Sequence, residues 1–529
     1  MDNRDARAAN LTRRQIITTA GAVTISAGVD ALVGRSRAQT GQPPHVVIVG
    51  AGLAGLCAAY RLQERGWTYT ILEAEERHVG GRVRTIRIGS RLYGDKYHWE
   101  AGAMRIPHNH DVTLRYINEF QLPTRPFVMN NPKAFYFARG QKERVEDEPN
   151  FRRHFNLTHA ERHKSPDDLW RLAVHKPRDE LSDKEKKELI SADWFTSKTL
   201  TNYDRLSLRQ LIEQARLEPT PWTDEKAPMP LSAEAIEYLL FAYGNLTLQH
   251  GAATEFLREE LNGVWDPPFF EIIGGTSRLP KAFEEKLNKD RIKMGCEATR
   301  VEAIGNRVRA EYHKDGTKDA VEGDFLLCTI PPPLMARLEF APALPNKKQR
   351  ANIEINIDSA TKVVFLTKTR FWETKLGIYG GSTTTDLITG PVHYPSDNAQ
   401  AKDPNVSNGP GVLLASYAWG QDARRLAAMP ATQRQDYVLD QVKKIHPELG
   451  ETDMVVDSAT WAWDSYRFAG GAFAFYLPGQ FERMHRHLVD PVGRIYFAGE
   501  HCSRSHSWMQ GALESAEKAV ETMVSRGGG

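Results

Sequence analysis

Short, fully apolar runs alternate along the chain with stretches of mixed polarity. Val46-Val47-Ile48-Val49 is an uninterrupted β-branched run, the pattern of a strand buried on both faces. It leads through Gly50-Ala51-Gly52-Leu53-Ala54-Gly55 into the Ala-rich helical pattern Leu56-Cys57-Ala58-Ala59-Tyr60, and a second short strand ends at Ile71-Leu72-Glu73. Between Asn131 and His250 charged helical stretches such as Asp183-Lys184-Glu185-Lys186-Lys187-Glu188-Leu189 alternate with proline breaks, which predicts a helical insertion with solvated faces. Further on, Thr299–Ile304 and Arg307–Tyr312 alternate about Gly305-Asn306 as a hairpin. Phe325-Leu326-Leu327-Cys328-Thr329-Ile330 reads as a buried strand closed by three prolines, and Gly411–Gly420 as an alternating strand. Pro and Asn crowd the segment from Thr389 to Gly411, which predicts a surface loop. Strands interleaved with helices predict an α/β fold.

The opening strand, glycine turn, helix, strand and acid occur in the order of a dinucleotide site. Gly50 permits the tight turn, Gly52 lets backbone approach a pyrophosphate, and Gly55 lets helix and strand pack closely. The helix N-terminus presents unpaired N–H groups to phosphate, and Glu73 is placed to accept from a ribose. Past it, Gly80-Gly81-Arg82 combines flexible backbone with a guanidinium that can neutralise pyrophosphate charge.

Composition is that of an ordinary globular enzyme, 41% apolar and 26% charged over 529 residues, long enough for several domains. Met1–Ala38 carries six Arg against three Asp, and the remaining chain has 63 basic and 64 acidic residues, a balance that gives no reason to expect nucleic acid. Within that leader, Arg13-Arg14 precedes an uncharged stretch to Val29, and Ser36-Arg37-Ala38 offers small residues for cleavage. It resembles a twin-arginine export signal, which implies a periplasmic or secreted protein; a simple propeptide would leave it cytoplasmic. No window reaches the ~18 apolar residues of a membrane span. The four cysteines are far apart, without a CxxC, so neither metal site nor disulfide framework is expected, and His159 with His163 read as surface residues.

Gly50–Thr85 resembles the opening of the flavin-containing amine oxidase superfamily, and Gly102-Ala103-Met104-Arg105 is similar to the corresponding run of its L-amino-acid oxidases. The resemblance implies an FAD-binding Rossmann-like domain with a mixed-sheet substrate domain. It places Gly50, Gly52, Leu53, Ala54, Gly55, Glu73, Ala74, Gly81 and Arg82 against the adenine and pyrophosphate end of FAD, with Val301 meeting adenine. Gly102, Ala103, Met104 and Arg105 would lie along the flavin, with Arg105 holding a substrate carboxylate. A guanidinium suits that role, since it binds carboxylate by two parallel hydrogen bonds and stays charged when buried. The family's flavin lysine corresponds to Lys362, although periodicity alone would make it an edge or snorkelling residue. Tyr417 would assist the carboxylate, Phe473 and Trp508 would flank the amine, and Ser507 would offer it a carbonyl. The final signature Gly499-Glu500 with Trp508-Met509 would complete the flavin site. Ala472 stands where the covalent relatives have their flavin-linked cysteine, which implies noncovalent FAD.

From these residues the expected segmentation is 43–87, 276–350 and 490–525 for the FAD domain, 88–130, 251–275 and 351–489 for the substrate domain, and 131–250 for the insertion. The expected activity is oxidation of L-amino acids, large apolar or aromatic ones first, with oxygen as co-substrate. The same residues leave an amino-acid 2-monooxygenase or a polyamine or monoamine oxidase as alternatives. A homodimer or higher homo-oligomer is implied by resemblance only.

Overall fold

The computed structural model describes residues 43–219 and 227–527; the leader with its paired arginines lies outside them. The apolar run His45–Val49 becomes the middle strand of a five-stranded parallel sheet. Its neighbours are Thr68–Leu72 on one side and Phe325–Cys328 on the other, with Ile292–Lys293 and Ile495–Phe497 at the edges. Helices Leu53–Glu64 and Met509–Gly527 pack on the face that carries Val46 and Ile48, and strands Glu297–Ile304 and Arg307–Lys314 cover the face that carries Val47 and Val49. Only a sheet covered on both faces makes runs with no polar alternation stable as strands.

The second large element is a seven-stranded mixed sheet in the order Val455–Ala462, Ala360–Thr367, Gly411–Trp419, Val392–His393, Ser382–Thr385, Phe135–Ala138, Gln141–Arg144. The expected hairpin about Gly305-Asn306 is present, as strands Glu297–Ile304 and Arg307–Lys314.

Two expectations are corrected. The segment 131–250, anticipated as a helical insertion, begins with a β-hairpin, Phe135–Ala138 paired with Gln141–Arg144. Its two-residue turn, Arg139-Gly140, has positive φ at both positions, the turn whose twist matches paired strands. Helices follow from Glu148 on, several opened by capping boxes such as Ser165 with Asp168 and Ser182 with Glu185. The Pro- and Asn-rich stretch after Thr389 is a surface loop only in its second half: Gln400–Lys402 and Pro404–Val406 are exposed, but Val392, His393, Tyr394 and Asn398 are buried. Its short strand pairs inside the large sheet, which satisfies backbone groups that a surface loop would give to water.

Among the described residues no helix is long and apolar enough to cross a membrane.

Candidate active site

The glycine turn opens one wall of a cavity. Strand His45–Val49 ends at Gly50 and helix Leu53–Glu64 starts at once, with no side chain capping its first N–H groups and no acid in its first turn. A Cβ on Gly55 would lie 2.0 Å from the Gly50 carbonyl oxygen, so this glycine is needed for packing. A Cβ on Gly52 would touch no protein atom; it would project into the cavity. Together they leave a helix N-terminus bare towards a space that suits phosphate. The Glu73 carboxylate accepts from the backbone N–H of Ala51 at 2.6 Å and of Glu75 at 2.8 Å, and burial raises its pKa against those bonds.

Leu53, Ala54, Glu73, Ala74, Gly81, Arg82, Gly102, Ala103, Gly499, Glu500 and Met509 line this same cavity, with Gly50 and Gly52. Arg82 donates to Glu500 at 2.9 Å and to the Ala472 carbonyl at 3.0 Å. Glu500 also accepts from the N–H groups of Ala474 and Ser507, both at 3.0 Å. Burial opposes its charge, but Arg82 and these amides hold its pKa below the usual carboxylate range.

Val301 is not brought there. Its side chain is fully buried in strand Glu297–Ile304, and the cavity wall is made by Cys296–Thr299 instead. The pairing register breaks between Ala298 and Arg300, and from Arg300 onward the strand is paired on both sides. Its backbone is therefore committed to the sheet where Val301 stands.

The second cavity, about 770 Å³, meets the first at Ala103, Tyr417, Phe473, Ser507, Trp508 and Met509. The run Gly102-Ala103-Met104-Arg105 crosses the junction, so that Met104 and Arg105 face the second space. Arg105 is 9% exposed, has no ion-pair partner among the described residues, and leaves its Nε without a hydrogen bond. Its guanidinium carbon lies 5.2 Å from the ring centre of Trp265 and 5.7 Å from that of Trp508. Burial lowers its pKa, partly countered by Tyr417 and Glu259. Both indoles are held by one residue that sequence reasoning missed: Glu259 accepts from Trp508 Nε1 at 3.0 Å and from Trp265 Nε1 at 2.9 Å. Burial raises its pKa to about 6. His393 and His110 also line this cavity, each pushed down to about 3 by burial and so neutral.

Lys362 lies in the middle of the large sheet, directly opposite Tyr417, and is only 1% exposed; it is no edge residue. Its Nζ donates to the carbonyls of Glu100 at 2.9 Å and Gly102 at 2.7 Å, with the Tyr417 ring centre at 4.2 Å. Those bonds set it behind the Gly102–Met104 run, and it is not itself a wall of either cavity. Burial lowers its pKa to about 7. The four cysteines are buried, and Cys502, pushed up to about 12 by burial, faces neither cavity.

The family model for flavin containing amine oxidoreductases matches residues 53–524. The chain belongs to the flavin-containing amine oxidoreductase family. This amine oxidoreductase is 30% identical over 484 residues to an L-amino-acid oxidase of Siganus canaliculatus, covering 90% of this chain and 84% of that protein. It is 32% identical over 488 residues to the putative L-amino-acid oxidase YobN of Bacillus subtilis (strain 168), covering 89% of this chain and 93% of the other. Among solved structures, wild-type putrescine oxidase bound to putrescine superposes with a TM-score of 0.68 at 20% identity over 92% of this chain and 99% of that one. Cyclohexylamine oxidase from Brevibacterium oxydans IH-35A gives 0.66 at 17%, over 92% and 100%. These two likenesses establish the fold. Membership implies a flavin, and the uncapped helix start beside Gly52, the Arg82 cation and a cavity walled by both the Gly50–Ala54 turn and the Gly499–Met509 segments fit one.

Proposed function

We propose that the protein binds FAD noncovalently and oxidises L-amino acids to 2-keto acids, releasing ammonia and hydrogen peroxide. One observation carries the choice of substrate over a simple amine: Arg105, a buried guanidinium without a carboxylate partner, faces the second cavity beside its junction with the first. An uncompensated buried cation is costly, and a substrate carboxylate supplies its missing partner through two charge-assisted hydrogen bonds. A diamine has no such group.

In this reading the segments 43–87, 276–350 and 490–525 hold FAD, and the remaining sheet and helices form the substrate side. Ala472, at the wall where Arg82 is anchored, offers no thiol for a covalent bond. Tyr417 lines both cavities and adds a hydroxyl for the carboxylate. Phe473 and Trp508 flank the amine, and the Ser507 carbonyl accepts from it; Ser507 is held at φ +65° with its N–H on Glu500. Holding both polar ends fixes the α C–H in a near-attack geometry, worth more here than any acid or base. FAD, when bound, supplies the two-electron acceptor. Lys362 fixes the Gly102 carbonyl and holds a proton that a pKa near 7 lets it exchange at neutral pH. In sum, amino acid, oxygen and water give keto acid, ammonium and peroxide. The aromatic walls suit large side chains. The Arg13-Arg14 leader supports export, and the family resemblance a homo-oligomer.

Product analysis with L-amino acids tests the reading. Equal yields of peroxide, ammonia and keto acid are expected. Amide and carbon dioxide as main products would make it a 2-monooxygenase, and turnover of putrescine but of no amino acid would make it an amine oxidase.

A further inference from the structure

The second cavity has two ends of opposite character. Arg105 is at one; the other is formed by the helices after Glu148 and is acidic. There Glu148, Asp167 and Glu260 lie about Tyr136, Trp170 and Tyr243. Trp170 and Tyr243 are stacked, with ring centres 4.1 Å apart and planes 11° from parallel. Glu260 accepts from Trp170 Nε1 at 3.0 Å and is bonded to His175 Nε2 at 2.8 Å. Glu148 pairs with Arg152, but Asp167 accepts only the Tyr243 hydroxyl, at 2.9 Å, and has no ion-pair partner among the described residues. Seven carboxylates line the whole cavity against the single arginine. The field they make is visible in their neighbours: Tyr136 is pushed up to about 12 by burial with Glu148 and Asp167, and Tyr243 is raised by burial, Asp167 and Glu260. Burial, the larger cause, penalises charge of either sign, but the share that comes from Glu148, Asp167 and Glu260 is negative charge facing the cavity, which attracts a cation.

Two further observations point to a ligand. Arg105 Nε and His393 Nε2, both on nine-tenths-buried side chains lining this cavity, have no hydrogen-bond partner. The two ends are also held from adjacent residues of one helix, Ala253–Asn262. Glu259 fixes Trp265 and Trp508 around Arg105, and Glu260 fixes Trp170 at the acidic end. Both aromatic groups line the same cavity, so one bound molecule can reach each of them.

We propose that the acidic, aromatic end is a subsite for a cationic side-chain terminus, making L-lysine and L-arginine better substrates than neutral amino acids of the same length. This rests on the amino-acid oxidase reading and replaces its expectation of apolar side chains. The α-carboxylate sits on Arg105, and the distal ammonium or guanidinium lies against Trp170 and Tyr243 near Asp167 and Glu260, where cation–π and charge attraction add.

The test compares kcat/KM of the holoenzyme for L-lysine with L-norleucine, and for L-arginine with L-citrulline, in the wild type and in Asp167→Asn. Asp167 is exposed, so the variant is expected to fold. The cationic member of each pair should be favoured by about tenfold or more, and Asp167→Asn should narrow that ratio by about five- to tenfold. Norleucine used as well as lysine, or a ratio unchanged in Asp167→Asn, would overturn the subsite while leaving amino-acid oxidation standing. Cadaverine oxidised in preference to lysine, or no turnover of any amino acid, would overturn both.

Discussion

Arg105→Met separates the proposed substrate role from any structural one. The guanidinium makes no ion pair or hydrogen bond to the protein among the described residues, only stacking contacts with Trp265 and Trp508. Each such contact is worth about 0.5–1 kcal/mol, and its loss is offset by relief of a buried, unpartnered cation. Folding stability should therefore change by less than about 1 kcal/mol, or about 1 °C in Tm for a chain of this size. Substrate binding is different. Removing one member of a buried, hydrogen-bonded charge pair costs about 3–5 kcal/mol, which corresponds to a fall of roughly 150- to 5,000-fold in kcat/KM. The assay is steady-state peroxide formation with the preferred L-amino acid and with its decarboxylated amine, on wild type and variant. Only the amino acid should lose this factor. A loss below about tenfold, or an equal loss for the amine, would refute the argument that Arg105 waits for a carboxylate.

Gly52→Ala and Gly55→Ala should fail in different ways. Gly52→Ala is expected to fold normally and lose bound flavin, read by absorbance against protein; Gly55→Ala, with a Cβ 2.0 Å from a backbone oxygen, should lower Tm or prevent folding. Glu259 has a pKa of about 6 against an ordinary 4.5, so the folded state binds the extra proton and this group's contribution to stability falls as pH rises from about 4.5 to 6. The loss is at most about 2 kcal/mol. Melts of Glu259→Gln should lack that part of the pH dependence, and its kcat/KM should drop about tenfold as Trp265 and Trp508 lose an anchor. Lys362→Met should keep the fold and the amino-acid KM while lowering kcat by about 100-fold; unchanged kcat would remove Lys362 from the mechanism.

Much of this molecule is legible in one dimension because its determinants are local. The strand Val46–Val49, the turn at Gly50–Gly55 and the acid Glu73 lie within 28 residues, and each acts through backbone geometry that residue type dictates. The run Gly102–Arg105 is equally plain, since its four residues cross from one cavity to the other in order. Glu259 and His393 were not legible. In Arg258-Glu259-Glu260 nothing distinguishes a buried carboxylate gripping two indoles from a solvated helix face, and His393 stands among prolines and asparagines that read as loop. Val301 failed for a related reason, because a one-residue break in strand register decides which backbone groups face the cavity.

Sequence by itself determined that this chain carries the glycine turn and acid of a nucleotide-site pattern and an arginine at the end of the Gly102–Arg105 run, because glycine turns and charge are properties of single short segments. Tertiary structure alone decided what surrounds that arginine. Burial, the missing ion-pair partner and the acidic far wall depend on Arg105, Glu259, Trp508 and Asp167 meeting across hundreds of residues, and desolvation is a property of the assembled cavity.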